Sequence, residues 1–239
     1  MPQPFADAWT MSEKVDGWLT EGQGRALYDA AQSLPSGTAA VEIGSHHGKS
    51  AVLIAAGLPE GARLTAVDPF DDIRWGGGPE ALEAFEANVA AAGVADRIDL
   101  FRGISAEAST AWEGAPVGFL WVDGAHDLES TLADFDGWMP HMVEGSLLYV
   151  HDSFCAVGTT KAILRRFLFS RHVEYLGAER TMTKFRVRPL GPMGMLRSSA
   201  GILGRLPFFA RMLAIKISRR RGWSGLAQAL RRYPDEPLI

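Results

Sequence analysis

The stretch VEIGSHHGKS, Val41 to Ser50, decides how this 239-residue chain is read. It ends in Gly48-Lys49-Ser50, the closing residues of a phosphate-binding loop, and so raises the possibility of a nucleoside triphosphate. That loop needs four residues between its first glycine and the Gly-Lys-Ser/Thr. Here Gly44 and Gly48 enclose only Ser45, His46 and His47. A loop one residue short cannot wrap its backbone N–H groups around a β-phosphate in the same way. The meaning of the turn therefore rests on what surrounds it.

The apolar strand Ala39–Ile43 precedes the turn and a helix from Lys49 follows it, the strand–glycine turn–helix of a nucleotide-type site. Glycines let backbone approach a ligand closely, and the free N–H groups of a helix start attract negative charge. At the end of the next strand, in LTAVDPF, sits Asp68, placed to accept hydrogen bonds from a ribose diol. A dinucleotide fingerprint, G-x-G-x-x-G, requires a second close-approach glycine that G-S-H-H-G lacks. Glu42 just before the turn is poor for a pyrophosphate but suits a cationic ligand with an amino group. The residues favour S-adenosylmethionine.

Outward from the turn, strand-like and helix-like segments alternate, which predicts an α/β fold: a doubly wound, mostly parallel seven-stranded sheet. Strands are expected at Ala39–Ile43, Leu64–Val67, Ile98–Arg102, Gly118–Val122 and Leu147–Val150. Helices are expected at Lys49–Ala56, Pro79–Ala92, Ala106–Trp112 and Leu128–Met142. A closing pair, His172–Leu176 and Thr183–Arg188, reads as an antiparallel edge hairpin. Residues 1–37 form a helical cap with turn signals at Gly22 and Gly24, 38–190 the catalytic domain, and 191–239 a basic C-terminal helical appendage.

VEIGSHHGKSAVLIA, LTAVDPF, FRGISAEA and LWVDGAHDLESTLADFDGWMPHMVEGSLLYVHD together resemble the class I S-adenosylmethionine-dependent methyltransferases. More narrowly they are similar to the group containing macrolide-sugar and bacterial glycan O-methyltransferases. The resemblance covers about Ala39 to Ser153; its specific part is the D-G-x-H and H-D pair. It implies a Rossmann-like methyltransferase fold, with Gly44, Ser45 and Gly48 shaping the cofactor turn and Glu42 near the methionine amine. Asp68 would bind the ribose, Ile104 and Ser105 would border the adenine, and Phe70 would pack on it.

Asp123 ends the apolar run VGFLWV and Asp152 closes LLYVH. On neighbouring parallel strands their ends lie about 5 Å apart, in the crevice where such sheets bind ligands. Oxygen ligands without cysteine suit Mg²⁺. Similar enzymes hold a divalent ion here with two or three acidic ligands; His151 stands where some relatives have an acid. His126 lies three residues after Asp123, at the entry to a helix. A neutral alcohol is a poor nucleophile, so an imidazole there can take its proton as general base. The expected chemistry is metal-assisted methyl transfer to a hydroxyl of a sugar or glycan. A catechol or other phenol is the alternative acceptor. A phosphotransferase and a non-catalytic membrane-associated binding protein are the alternatives outside the class.

His46 and His47 read as exposed loop residues, Lys49 as solvent-facing, and Cys155 as a small buried residue. Trp112, Trp121 and Trp138 read as core. Trp75, in RWGGGPE, is a candidate for closing over the site. One cysteine excludes an internal disulfide, and with no basic, apolar leader the N-terminus predicts a cytoplasmic protein. The net charge of −4 hides an asymmetry: residues 191–239 carry nine Lys or Arg against two acids. Leu206, Phe209, Leu213 and Ile217 recur at helical spacing among these bases, the pattern of a membrane-surface helix. Peripheral attachment to anionic lipid, a homodimer contact or substrate-pocket lid, and grasp of an anionic substrate are the three competing uses. The acceptor would be a small molecule or an oligosaccharide, a lipid-linked one included; with an acidic body and no RNA-binding motif, nucleic acid is not expected.

Overall fold

The computed structural model describes residues 2–71 and 77–232. Seven strands form one sheet in the order β3-β2-β1-β4-β5-β7-β6. β1 (Ala39–Ile43), β2 (Leu64–Val67), β3 (Ile98–Phe101), β4 (Val117–Val122) and β5 (Met142–Val150) run parallel. β7 (Met182–Val187) runs antiparallel between β5 and β6 (Val173–Glu179). The chain leaves β1 towards β2 on one side and returns to β4 on the other. That reversal opens a crevice at the carboxyl ends of β1 and β4, where ligands bind in such sheets.

Alternating strand residues feed two cores. Ala40, Phe119, Trp121 and Tyr149 face the cluster built by α1 (Phe5–Ser12), α2 (Glu21–Gln32), α3 (Lys49–Gly57) and α4 (Pro79–Ala91). Val41, Leu120, Val122, Leu148 and Val150 face the other. That second face is covered by α5 (Ser105–Thr110), α6 (Leu128–Trp138), α7 (Val157–Phe167) and α8 (Pro192–Leu203). Trp121 and Trp138 are fully buried as expected, while Trp112 is only partly buried and packs edge-on against Trp138.

Several expectations change. The N-terminal cap is two helices, and Gly24 is no turn: it lies inside α2, where a Cβ would press on Trp9 and Leu53. The predicted helix Leu128–Met142 stops at Trp138, and a short 3₁₀ turn leads into a β5 longer than expected. Helix α7 went unread in the sequence.

The appendage comprises α8, α9 (Leu206–Arg220) and α10 (Ser224–Leu230). α8 lies along β6: Ser198 Oγ accepts from Tyr175 N (2.9 Å) and donates to Val173 O (3.2 Å). Ser199 Oγ accepts from Phe169 N at 2.9 Å. Ile202 is buried in the second core. Among the described residues no helix is long and apolar enough to cross a membrane.

Candidate active site

The glycine turn answers its own question. Asp68, at the end of β2, points its carboxylate into the turn, where Oδ2 accepts from Ser45 N (2.8 Å) and His46 N (2.9 Å). Its Oδ1 accepts from Phe70 N at 2.7 Å. The backbone donors a phosphate would need are thus already engaged by a negative charge. Lys49 turns the other way: its Nζ donates to Val15 O (2.6 Å) in the α1–α2 connector, so it is half-buried, not solvent-facing. Burial holds its ammonium below the usual lysine range. A triphosphate has neither cradle nor counter-charge here.

Gly44 has φ of 84°, and a Cβ on it would collide with the backbone carbonyl of Asp123. The β1–α3 turn and the end of β4 are therefore in backbone contact, tightened by Asp123 N donating to Ile43 O (2.8 Å). Gly44→Ala is expected to lower stability by at least about 2 kcal/mol, read by urea unfolding. A variant as stable as the parent would show that the turn can open.

Glu42 lies at the end of β1 with no solvent exposure. Its Oε2 accepts from Ser45 Oγ (2.7 Å), while Oε1 is buried with no hydrogen-bond partner. Burial pushes its carboxyl up to about 8, against the pull of the Ser50 and Ser45 hydroxyls and with help from the Asp123 and Asp68 charges. An orphaned acidic oxygen beside the turn fits a ligand bearing a cationic amine. Asp68 retains acceptor capacity for a ribose hydroxyl, since a carboxylate has about four lone-pair sites and three N–H groups use it. Ile104, 51% exposed past β3, offers an apolar surface at the expected adenine edge. Ser105 beside it accepts from Trp138 Nε1 at 2.9 Å. Phe70 differs from expectation: it is buried in the first core with its ring 5.7 Å from that of Phe85, leaving no open face for a base. His46 and His47 are not loose either, but stack at 3.8 Å between centroids. These residues fit S-adenosylmethionine, with Phe70 as support from behind. The Trp75 expectation lies outside the described residues.

At the ends of β4 and β5, Asp123, His126, His151 and Asp152 converge. His126 Nε2 lies 3.1 Å from Asp123 Oδ1, and its Nδ1 lies 3.6 Å from Asp152 Oδ2. His151 Nδ1 lies 3.0 Å from Asp123 Oδ1 and 3.7 Å from Asp152 Oδ1. Burial opposes charge on His151, but the Asp123 and Asp152 carboxylates outweigh it and lift the imidazole to about 9. Asp123 is likewise held well below the usual carboxylate range, because its two histidines overcome its burial. His126 is raised: burial lowers it, while the Asp123 hydrogen bond and the nearby carboxylates win.

The expected ligands Asp123, Asp152 and His151 lie together, but the arrangement does not single out Mg²⁺. Imidazole nitrogens stand beside both carboxylates, and among the described residues no three acidic, histidine or cysteine groups form a metal-holding set.

The loops holding these groups are conformationally unusual. His46, Phe70, His126, Asp152 and Phe154 all have positive φ without being glycine. Each lies just past the carboxyl end of β1, β2, β4 or β5. One supporting residue escaped the sequence reading: Gly158, near the start of α7, where a Cβ would strike the His126 carbonyl. Without helix α7 in view, nothing connected Gly158 to His126.

The fold is that of the class I methyltransferases. Residues 41–153 match the model of the methyltransferase domain family. Among solved structures, the O-methyltransferase TomG from Streptomyces achromogenes, in complex with S-adenosylmethionine, is 17% identical. The match covers 78% of this chain and 89% of that one, with a TM-score of 0.59. An O-methyltransferase from Bacillus cereus bound to S-adenosylhomocysteine is 16% identical over 79% and 93%, with a TM-score of 0.58. CalS11, a TDP-rhamnose 3'-O-methyltransferase of calicheamicin biosynthesis, is 20% identical over 68% and 76%, with a TM-score of 0.51. At these identities the likeness is one of fold.

Proposed function

We propose that this methyltransferase moves a methyl group onto a hydroxyl oxygen of a sugar-bearing acceptor. The observation that carries the reading is His126, held between Asp123 and Asp152 at the mouth of the crevice. S-adenosylmethionine, when bound, supplies an electrophilic methyl group. The protein's own task is then to take a proton from the acceptor hydroxyl.

The hydrogen bond to Asp123 assigns the His126 proton to Nε2. Nδ1, at 3.6 Å from Asp152 Oδ2, is beyond hydrogen-bond length and keeps its lone pair. It is the atom that accepts the hydroxyl proton. The imidazolium so formed lies between two carboxylates, which stabilise it as the aspartate of a catalytic triad stabilises its histidine. His151, cationic at neutral pH, offsets the remaining negative charge. The sugar acceptor is supported by the D-G-x-H arrangement and by the likeness to CalS11, a TDP-rhamnose 3'-O-methyltransferase.

The test is turnover with S-adenosylmethionine and a panel of glycoside and nucleotide-sugar hydroxyls, with catechol alongside and a chelator added in parallel. Methylation of a sugar hydroxyl that survives chelation is the expected result. Turnover of catechol alone would sink the acceptor assignment. Activity abolished by the chelator and restored by Mg²⁺ would return Asp123 and Asp152 to the role of ligands.

A further inference from the structure

The helical spacing of Leu206, Phe209, Leu213 and Ile217 matched a membrane-surface pattern, with lipid contact as one of three competing uses. The structure places that stripe elsewhere. Leu206 and Phe209 pack on the second core, and Met212 and Ile215 are buried with Cys155 beside the β5–α7 loop. Most of the apolar face of α9 is therefore used inside the molecule, and only its far end emerges.

That end is a built feature. α9 closes with Gly222 N donating to Arg219 O (3.0 Å) and Trp223 N to Ser218 O (2.7 Å), the paired bonds of a Schellman stop. Every residue from Arg219 to Leu226 is exposed. Trp223 is 50% exposed, Ile217 49% and Leu226 48%. The Arg221 guanidinium sits 5.2 Å from the Trp223 ring centroid. Arginines at a helix C-terminus complement the helix dipole, but that role explains neither the tryptophan nor the two aliphatic side chains left in water beside them.

Charge decides the partner. From Arg180 to Pro234 the chain has thirteen Lys or Arg and no acid. A tip carrying Trp, Ile and Leu among three consecutive arginines matches an anionic bilayer surface: the aromatic ring seats at headgroup depth, and each arginine meets lipid charge. We infer that the α9–α10 tip, Ile217 to Leu226, is an anionic-lipid docking surface. Met212 and Ile215 of α9 pack on Cys155, three residues beyond Asp152, so docking through the far end of the helix also brings that loop towards the bilayer.

The experiment is co-sedimentation of the full chain with vesicles of phosphatidylcholine and phosphatidylglycerol, against vesicles of phosphatidylcholine alone. Binding is read without turnover, so it stands or falls separately from methyl transfer. Binding only to the anionic vesicles, weakened by salt, is expected. The triple variant R219Q/R220Q/R221Q should lose about a hundredfold in affinity, each arginine counting for about fivefold. Trp223→Ser should lose affinity severalfold with its circular dichroism spectrum unchanged. Equal binding to both vesicle types, or by the triple variant and the parent, would overturn the inference. So would capture of a single-stranded RNA with no vesicle binding, which would assign the tip to nucleic acid.

Discussion

Replacing His126 with alanine is expected to lower kcat by about 10²–10⁴-fold while leaving the affinity for S-adenosylmethionine unchanged. The donor-binding residues Glu42, Ser45 and Asp68 form their own hydrogen-bonded group around the glycine turn, and none of those bonds involves His126. The sign of the pH dependence follows from the direction of its shift. His126 is raised above 6.5 by Asp123 and Asp152, so more of it is protonated at neutral pH than of a free histidine. A general base works only when deprotonated. In the parent, kcat/KM should therefore climb as pH rises through a pKa above 6.5, and in His126→Ala that rise should vanish. An alanine variant with parental turnover would leave the crevice as a binding site without a base.

The second large effect concerns stability. Glu42 stays protonated in the folded chain until about pH 8, whereas in the unfolded chain it ionises near 4.5. For an acid raised in this way the folded state binds the extra proton, so stability falls as pH climbs from about 4.5 to about 8. At pH 7 this amounts to about 3 kcal/mol against the fold, at about 1.4 kcal/mol per pH unit. Glu42→Gln keeps the shape of the neutral acid and removes the titration. The ligand-free variant should be more stable by up to that amount at pH 7, and no more stable at pH 4. It should also bind S-adenosylmethionine more weakly, because the carboxylate no longer meets the donor's amine. Chemical unfolding at the two pH values, with calorimetric titration of the donor, measures both. A variant that gains stability and binds the donor undiminished would place the amine elsewhere.

Much of this was legible in the sequence, for physical reasons that also explain the rest. β1 and β2 begin and end where expected, because a short apolar run between Gly, Pro or Asp has only one way to be buried on both faces. Asp123 and Asp152 come together because β4 and β5 pair in parallel, with Val122 opposite Val150. Which group would stand between them was not legible. His126 reaches that space through its own positive φ, a loop course that no periodicity predicts, whereas His151 directly follows β5. Phe70 looked like a ligand contact because it follows Asp68, but the positive φ at Phe70 itself turns its ring into the core. Lys49 looked solvent-facing because a helix start usually is, and only the fold brings the Val15 carbonyl to it.

The serines of α8 carry one last consequence. β6 ends the sheet, and its outer side is an open row of peptide groups, the kind of edge onto which another chain can add a strand. Ser198 closes part of that row with its hydroxyl, answering Tyr175 N and Val173 O in place of a neighbouring strand. A chain shortened at residue 190, where the composition suggests a domain boundary, would lose this seal and uncover the second core where Ile202 now sits. Such a fragment should self-associate through β6, so the appendage acts as a guard against aggregation whatever its far end touches.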